Sequence, residues 1–343
     1  MTKLKLIEQD IDFIFSKCKQ INLIFEGKRI FITGGTGFIG VWFLEYFHKL
    51  KKTGIDVEVC VLTRSIQAFK KKSLRRFEEY NFNFIESDIV NFENKQQKFD
   101  YIIHAATDAS AELNEKNPVA MFSTIVDGTM NLLEQLKYTS LEKVLFLSSG
   151  AVYGKQPQDI LRISEETKSA PDNLNPVNTY AEAKRAAELL CAIYSKQYNL
   201  NFSIARIFST FGPLLPISNH FAIGNFIKNA ITDKKITIKS DGMAIRSNLY
   251  IADSIIWLLN ILIFGKVSEA YNVGSEYEYS IKELAYMIAK QFNCEVEILG
   301  QTEPGWNSGR YVPSTSKIRN QLGVKEFFNL RDSIIKMHRF NSN

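Results

Sequence analysis

The stretch that most restricts how this chain can fold is Thr33-Gly34-Gly35-Thr36-Gly37-Phe38-Ile39-Gly40, directly after the β-rich run Arg29–Thr33 and opening a helical pattern. A strand feeding a glycine-rich turn lets main-chain N–H groups approach a pyrophosphate, and the helix N-terminus adds a partial positive charge. Gly34 serves the tight turn, Gly37 the close approach and Gly40 the packing of helix on strand. Strand, turn and helix in that order predict dinucleotide binding.

The surrounding text fits such a turn. Runs rich in β-branched and aromatic residues lie at Val57–Thr63, Phe82–Glu86, Tyr101–Ala105, Val144–Ser148 and Phe202–Ile207, and helical patterns between them are clearest at Pro118–Lys137 and Thr179–Tyr198. Alternating strands and helices predict an α/β fold, a doubly wound parallel sheet with helices on both faces. The rhythm breaks after Gly212-Pro213, where short strands and helices mix, as at Ile236–Ile238, Ile251–Ile263 and Ile281–Phe292. We therefore expect a dinucleotide-binding domain over 28–213 and a smaller α/β substrate-binding region over 214–343, part of which can return to the large sheet. Before them, residues 1–27 space Leu4, Ile7, Ile11, Ile14, Phe15 and Cys18 as one amphipathic helix, expected to dock on the domain that follows.

Composition removes other classes. With 45% hydrophobic and 23% charged residues, the 343-residue chain carries enough apolar matter for a large core. A net charge of +5 is too dilute to argue for nucleic acid. The apolar run Ile255–Phe264 contains Asn260 and falls short of the roughly 20 residues of a membrane span, so no membrane partner is expected. Cys18, Cys60, Cys191 and Cys294 are far apart and form no C-x-x-C pair. That pattern argues against a disulfide scaffold or a metal site and for a reducing cytoplasm.

The dinucleotide type is read at the end of the second strand, where an acidic residue favours the ribose of NAD. Here Thr63-Arg64-Ser65 follows Leu62 with no carboxylate. The fork of Arg64 suits a 2′-phosphate, so NADP is favoured; NAD remains possible with Thr63 on the ribose. Asp88, after the third strand, is placed to meet the adenine ring. Lys70, Lys71, Lys72, Arg75 and Arg76 read as a solvated helix face.

Catalytic chemistry is suggested by Tyr180 and Lys184, spaced i, i+4 at the start of a strong helix and so on one face of it. A phenol ordinarily titrates near pH 10, and a neighbouring ammonium favours the phenolate. Ser148-Ser149-Gly150-Ala151-Val152-Tyr153-Gly154 stands at the carboxyl end of the fifth strand, where ligands of open α/β sheets bind. Ser149 is placed to bond a substrate oxygen and relay a proton with Tyr180; Ser148 is its neighbour.

Taken together, these pieces resemble the extended short-chain dehydrogenase/reductases of the NAD-dependent nucleotide-sugar epimerase/dehydratase family. The likeness runs over about residues 28–325 and adds His104-Ala105-Ala106, Gly128-Thr129, Arg206 with Phe211-Gly212-Pro213, Asp241-Gly242 with Arg246, Asp253, and Tyr271-Asn272-Val273-Gly274. It implies a Rossmann domain and Ser149, Tyr180 and Lys184 as the catalytic set. It also implies a cofactor site of Gly34, Thr36, Gly37, Phe38, Ile39, Gly40, Thr63, Arg64, Asp88, Ile89, Ala105 and Ala106, joined by Tyr180 and Lys184. The substrate it implies is a nucleotide-diphosphate sugar touched by Ser149 and Ser209, with Arg246 and Arg310 on the diphosphate. His220 and Asn225 fall where the family places the nucleotide, without an assigned role.

Departures narrow the chemistry. The family's dehydratases carry Asp-Glu after the hydroxyl residue, and its decarboxylases a Glu at the position of Ala151; Gly150 and Ala151 can do no acid–base work. Ile125 and Ser209 replace two asparagines common in the family, the second suggesting an altered sugar or diphosphate site. The expectation is C4 epimerisation of a nucleotide sugar, with an NADPH-dependent 4-ketoreductase as the alternative. A dehydratase or a non-catalytic dinucleotide sensor fits less well. The family's habit of pairing two long helices implies a homodimer through Pro118–Lys137 and Thr179–Tyr198, with Ala186, Leu190 and Ile193 outward.

Overall fold

The computed structural model describes residues 2–94, 97–107, 111–216, 222–301 and 309–342. Its first half runs α1 (Lys3–Lys17), α2 (Lys19–Ile24), β1 (Lys28–Thr33), α3 (Phe38–Lys52), β2 (Val57–Thr63), α4 (Ile66–Lys72), β3 (Asn83–Glu86), β4 (Tyr101–His104), α5 (Ala111–Lys116), α6 (Pro118–Leu136), β5 (Lys143–Ser149), α7 (Thr179–Tyr198) and β6 (Phe202–Ile207). Its second half adds β7 (Thr210–Phe211), α8 (Ala222–Thr232), β8 (Lys235–Ile238), β9 (Ile245–Ser247), β10 (Leu249–Tyr250), α9 (Ile251–Phe264), β11 (Glu269–Val273), β12 (Glu278–Ser280), α10 (Ile281–Phe292), β13 (Glu295–Ile298), β14 (Arg310–Tyr311), α11 (Ser316–Leu322) and α12 (Leu330–Asn341).

Seven strands form one parallel sheet in the order β11-β6-β5-β4-β1-β2-β3. Strand order reverses between β4 and β1, which opens a crevice at their carboxyl ends, beside the glycine turn. Alternation along the strands separates two cores. Ile30, Ile32, Val59, Val61, Ile103, Leu145 and Leu147 meet α1, α3 and α9 on one face. Phe31, Cys60, Leu62, Ile102, Val144 and Phe146 meet α6 and α7 on the other. The doubly wound reading holds, and β11 carries the second half back to the edge of the large sheet, so 214–343 is not a detached body.

Two local expectations change. Residues 1–27 form two helices, because the backbone of Cys18 leaves the helical conformation (φ −102°, ψ 29°) and ends α1 there. Both helices dock as expected, and Asp10 of α1, 1% exposed, accepts from the Tyr250 hydroxyl (2.6 Å) and from Lys336 of α12. The basic run is not uniformly solvated either. Arg75 is buried, bonding Glu45 through Nε and Nη2 (3.0 and 2.9 Å) and reaching Glu8 at 3.0 Å. Lys72 faces a cavity described below. Among the described residues, no helix is long and apolar enough to cross a membrane.

Candidate active site

At the carboxyl ends of β1, β4 and β5 lies a cavity of ≈730 Å³ lined by the glycine turn, Thr63, Asp88, Ala106, Ser149, Tyr180, Lys184 and Ser209, among others. Every residue expected to hold the dinucleotide lines it, Phe38, Ile39, Ile89 and Ala105 included. The turn is built for close approach. Gly34 has φ +67°, and a Cβ there would stand 2.5 Å from the Ala105 carbonyl oxygen; one on Gly40 would stand 2.3 Å from that of Gly34. Asp88 caps its own turn by accepting from the Val90 N–H at 3.0 Å while facing the cavity. The buried hydroxyl of Thr107, also on the wall, has no partner among the described residues. A crevice at the switch point, main chain without side-chain cover, a helix N-terminus and an unspent hydroxyl together fit a dinucleotide.

His104 acts structurally. Its ring joins Thr33 Oγ1 (2.7 Å) and Thr129 Oγ1 (2.9 Å), and burial pushes it down to about 3, so it stays neutral. Thr33 Oγ1 also accepts from the Ala106 N–H at 3.1 Å, locking the end of β4 to that of β1. At the far end of the cavity stand Arg64 and Lys72, and burial with the Arg64 charge lowers the ammonium of Lys72.

The opposite end carries the reactive groups. The Ser149 hydroxyl stands beside the phenols of both Tyr180 and Tyr311 in this cavity and draws both down against the stronger upward pull of burial. Lys184, 2% exposed, donates from Nζ to the Leu147 carbonyl (2.7 Å) and lies 4.9 Å from the centre of the Phe146 ring. Burial depresses it to about 7. Its proton is thus available near neutral pH, but its bond runs to the main chain of β5. No signal pointed to Tyr311. It arrives on β14, its ring lies 4.6 Å from that of Phe208, and its hydroxyl occupies the space beside Gly150, where a Cβ would come within 2.5 Å. Phe208 packs in a small core with Val152, Tyr153 and Ile163 and also lines the cavity.

Neither arginine expected on a diphosphate lines the cavity. Arg246 pairs in register with Tyr311, is half-buried, donates to the carbonyls of Ile245 and Gly309 and meets no carboxylate among the described residues. Arg310 is committed to Glu278 and the Leu161 carbonyl, the arrangement of an ordinary ion pair. Ser209 lines the cavity; Asn225 lies on α8, and His220 lies outside the described residues. Ile125 is buried against α7's core face, its carbonyl accepting from Thr129 Oγ1. Asp253 accepts three bonds from the N–H groups of Phe327 and Phe328, which makes it a clamp on the chain before α12. Among the described residues, no cluster of His, Cys, Asp or Glu could hold a metal.

Comparison with known proteins agrees with this geometry. Residues 30–274 match the NAD dependent epimerase/dehydratase family. UDP-glucuronic acid decarboxylase 1 of Xenopus tropicalis is 31% identical over 91% of this chain and 72% of its own length. UDP-glucuronic acid decarboxylase 6 of Arabidopsis thaliana is 30% identical over 89% and 86%. In fold, the chain is similar to the UDP-glucuronic acid 4-epimerase of Bacillus cereus, solved with UDP-glucuronic acid and NAD (TM-score 0.76, 24% identity, 92% of this chain and 99% of that one). It is likewise similar to DesIV, a dTDP-glucose 4,6-dehydratase of Streptomyces venezuelae solved with NAD (TM-score 0.77, 21% identity, 92% and 97%).

Proposed function

The chain belongs to the NAD-dependent epimerase/dehydratase family and is an enzyme, and from that premise we propose that it carries out oxidoreduction at C4 of a nucleotide-activated sugar, of the epimerase type. The observation that carries this reading is the meeting of the Ser149 hydroxyl, the Tyr180 phenol and Lys184 in one cavity, with no carboxylate at 150 or 151. Decarboxylase relatives share about 30% of the sequence, yet Ala151 stands where their resemblance implies a glutamate.

The turn Gly34–Gly40 would hold the pyrophosphate, Thr63 and Arg64 the adenosine ribose, and Lys184 the second ribose. Bound there, the dinucleotide supplies or takes up the hydride. Tyr180 moves the proton of the C4 hydroxyl, and Ser149 holds that oxygen and relays to the phenol. Lys184 places positive charge one helical turn from the phenol, and the wall of Leu147, Phe208 and Leu215 keeps water away. Half-buried and with no counter-charge among the described residues, Arg246 is the better candidate for the diphosphate; Arg310 would first have to leave Glu278.

A second reading, the 4-ketoreductase, is favoured by Arg64 and Lys72 together at the end where a 2′-phosphate would lie, which suits NADPH. NMR of products from a panel of nucleotide sugars separates the two: a C4 epimer supports the first, and consumption of a 4-keto sugar with NADPH supports the second. Tyr180→Phe keeps dinucleotide binding and lowers turnover by about 10²–10⁴-fold, the range of a lost general acid or base. Near-normal turnover in that variant, or a 4-keto-6-deoxy product from a simple nucleotide hexose, overturns the assignment.

A further inference from the structure

Tyr180 and Lys184 are two members of a longer row. Glu188 is the next residue at i+4 on α7, and the three lie along the last three residues of β5. Ser149 stands beside Tyr180, the Leu147 carbonyl accepts from Lys184, and the Ser148 hydroxyl donates to Glu188 Oε1 at 2.5 Å. The carboxylate is held rigidly from β6, since Arg206 donates to it through Nε (3.0 Å) and Nη2 (2.6 Å). Arg206 Nη1 in turn bonds the Tyr153 hydroxyl (2.9 Å), which bonds Asn272 Oδ1 of β11 (2.9 Å). Ser148 lines the catalytic cavity, whereas Glu188 and Arg206 line a second cavity of ≈900 Å³ on the other side of α7. The Ser148–Glu188 bond therefore crosses the wall between them.

We propose that Glu188, clamped by Arg206, is a positioning residue of this active site: it fixes the end of β5 that carries Ser149 and keeps Lys184 charged beside Tyr180. This rests on the reading of Tyr180 and Lys184 as the proton-handling pair. Facing Lys184 are Glu188 and Cys191 from its own helix, Tyr180 one turn back, His104 from β4, and the Phe146 ring and Leu147 carbonyl of β5. His104 is neutral and Cys191 a buried thiol pushed up to about 12, so neither holds a compensating charge near neutral pH. Glu188 is the one carboxylate in that set, and its charge opposes the burial that drives the proton off Lys184.

The test is a pH titration of Lys184 followed by NMR of ¹³C-labelled lysine, assigned with Lys184→Arg, in the full chain and in Glu188→Gln. The pH profile of kcat on the preferred nucleotide sugar is recorded alongside. Removing a negative charge one helical turn away should lower the Lys184 midpoint by about one pH unit, the scale of a Coulomb interaction at an intermediate dielectric. The fall of kcat at high pH should begin lower by the same amount, with KM changed less than threefold. Where the lone Arg206 charge unfolds Glu188→Gln, the double variant Glu188→Gln/Arg206→Gln should fold and show a smaller shift in the same direction. Ser148→Ala should reduce kcat and leave the Lys184 midpoint in place. An unmoved midpoint in a folded Glu188→Gln or double variant overturns the proposal, even if activity drops. A midpoint that moves in an enzyme inactive on every nucleotide sugar upholds the positioning role and overturns the reading of the reaction.

Discussion

Replacing Gly34 by alanine tests whether the turn is a dinucleotide cradle or a plain connection. The new Cβ would stand 2.5 Å from the Ala105 oxygen and 2.7 Å from the Ala106 nitrogen, both main chain. Real Cβ atoms essentially never come under 3.0 Å, so the turn and the end of β4 must part by about 0.5 Å or more. The Ala106 N–H bond to Thr33 Oγ1 at 3.1 Å lies across that seam. An L-residue at φ +67° costs about 1–2 kcal/mol and the overpacking about 1–3 more, roughly 2–5 kcal/mol in all. For 343 residues the unfolding entropy is about 0.7 kcal/mol/K, so the melting temperature should fall by about 3–7 °C. Displacing one charge-assisted N–H contact costs a further ~1.5–3 kcal/mol, so the dinucleotide Kd should rise about 10–100-fold by calorimetric titration. Gly27→Ala is the control, because it has φ +70° and nothing within 4 Å of its Cβ. It should pay the backbone cost alone and bind normally. Gly34→Ala with a Kd within threefold of wild type refutes the cradle.

The cationic end of the cavity makes its own prediction: Arg64→Ala should weaken NADP by roughly thirtyfold, about 2 kcal/mol, and leave NAD nearly unchanged. Lys72→Ala should act in the same direction more weakly, and equal losses for both dinucleotides in either variant would exclude a 2′-phosphate contact. A homodimer through α6 and α7 is expected from the exposed faces of Phe122 and Met130 on one helix and Leu189 and Ile193 on the other. Light scattering at micromolar concentration should give twice the chain mass, with Leu189→Glu shifting it toward monomer; a monomeric wild type removes the interface.

Much of the frame was legible because its signals are local. The runs at Val57–Thr63 and Phe202–Ile207 are strands with those same bounds, and Thr179–Tyr198 is a helix with those bounds. Strand periodicity and turn chemistry need no distant partner to be read. What escaped depends on distant partners. Cys18 ends α1 without glycine or proline, at φ −102° and ψ 29°. Arg75 and Lys72 sit in one basic run, yet Glu45 of α3 draws the first inward, and the second turns to the cavity. Tyr311 reaches Ser149 only because β14 pairs with β9. On α7, Ala186 is half-buried and Leu190 packs on the core, while Leu189 and Ile193 form the exposed stripe. One residue of rotation decides which face is free, and hydrophobicity does not encode it.

The docking of α1 has a consequence for how the chain is made. Asp10 takes a bond from Tyr250 and one from Lys336, partners 240 and 326 positions later in the sequence. A ribosome adding about 5–20 residues per second would emit Lys336 roughly 16–65 s after Asp10 itself. During that interval the apolar side of α1, with Leu6, Ile7, Ile11 and Ile14, can be covered by α3 but not by the last helix. Its carboxylate, meanwhile, must stay hydrated. Final burial of Asp10 therefore waits for α12, and a nascent chain stalled before α12 would present a half-sheathed helix whose Asp10 still lacks Lys336 to whatever chaperone surveys it.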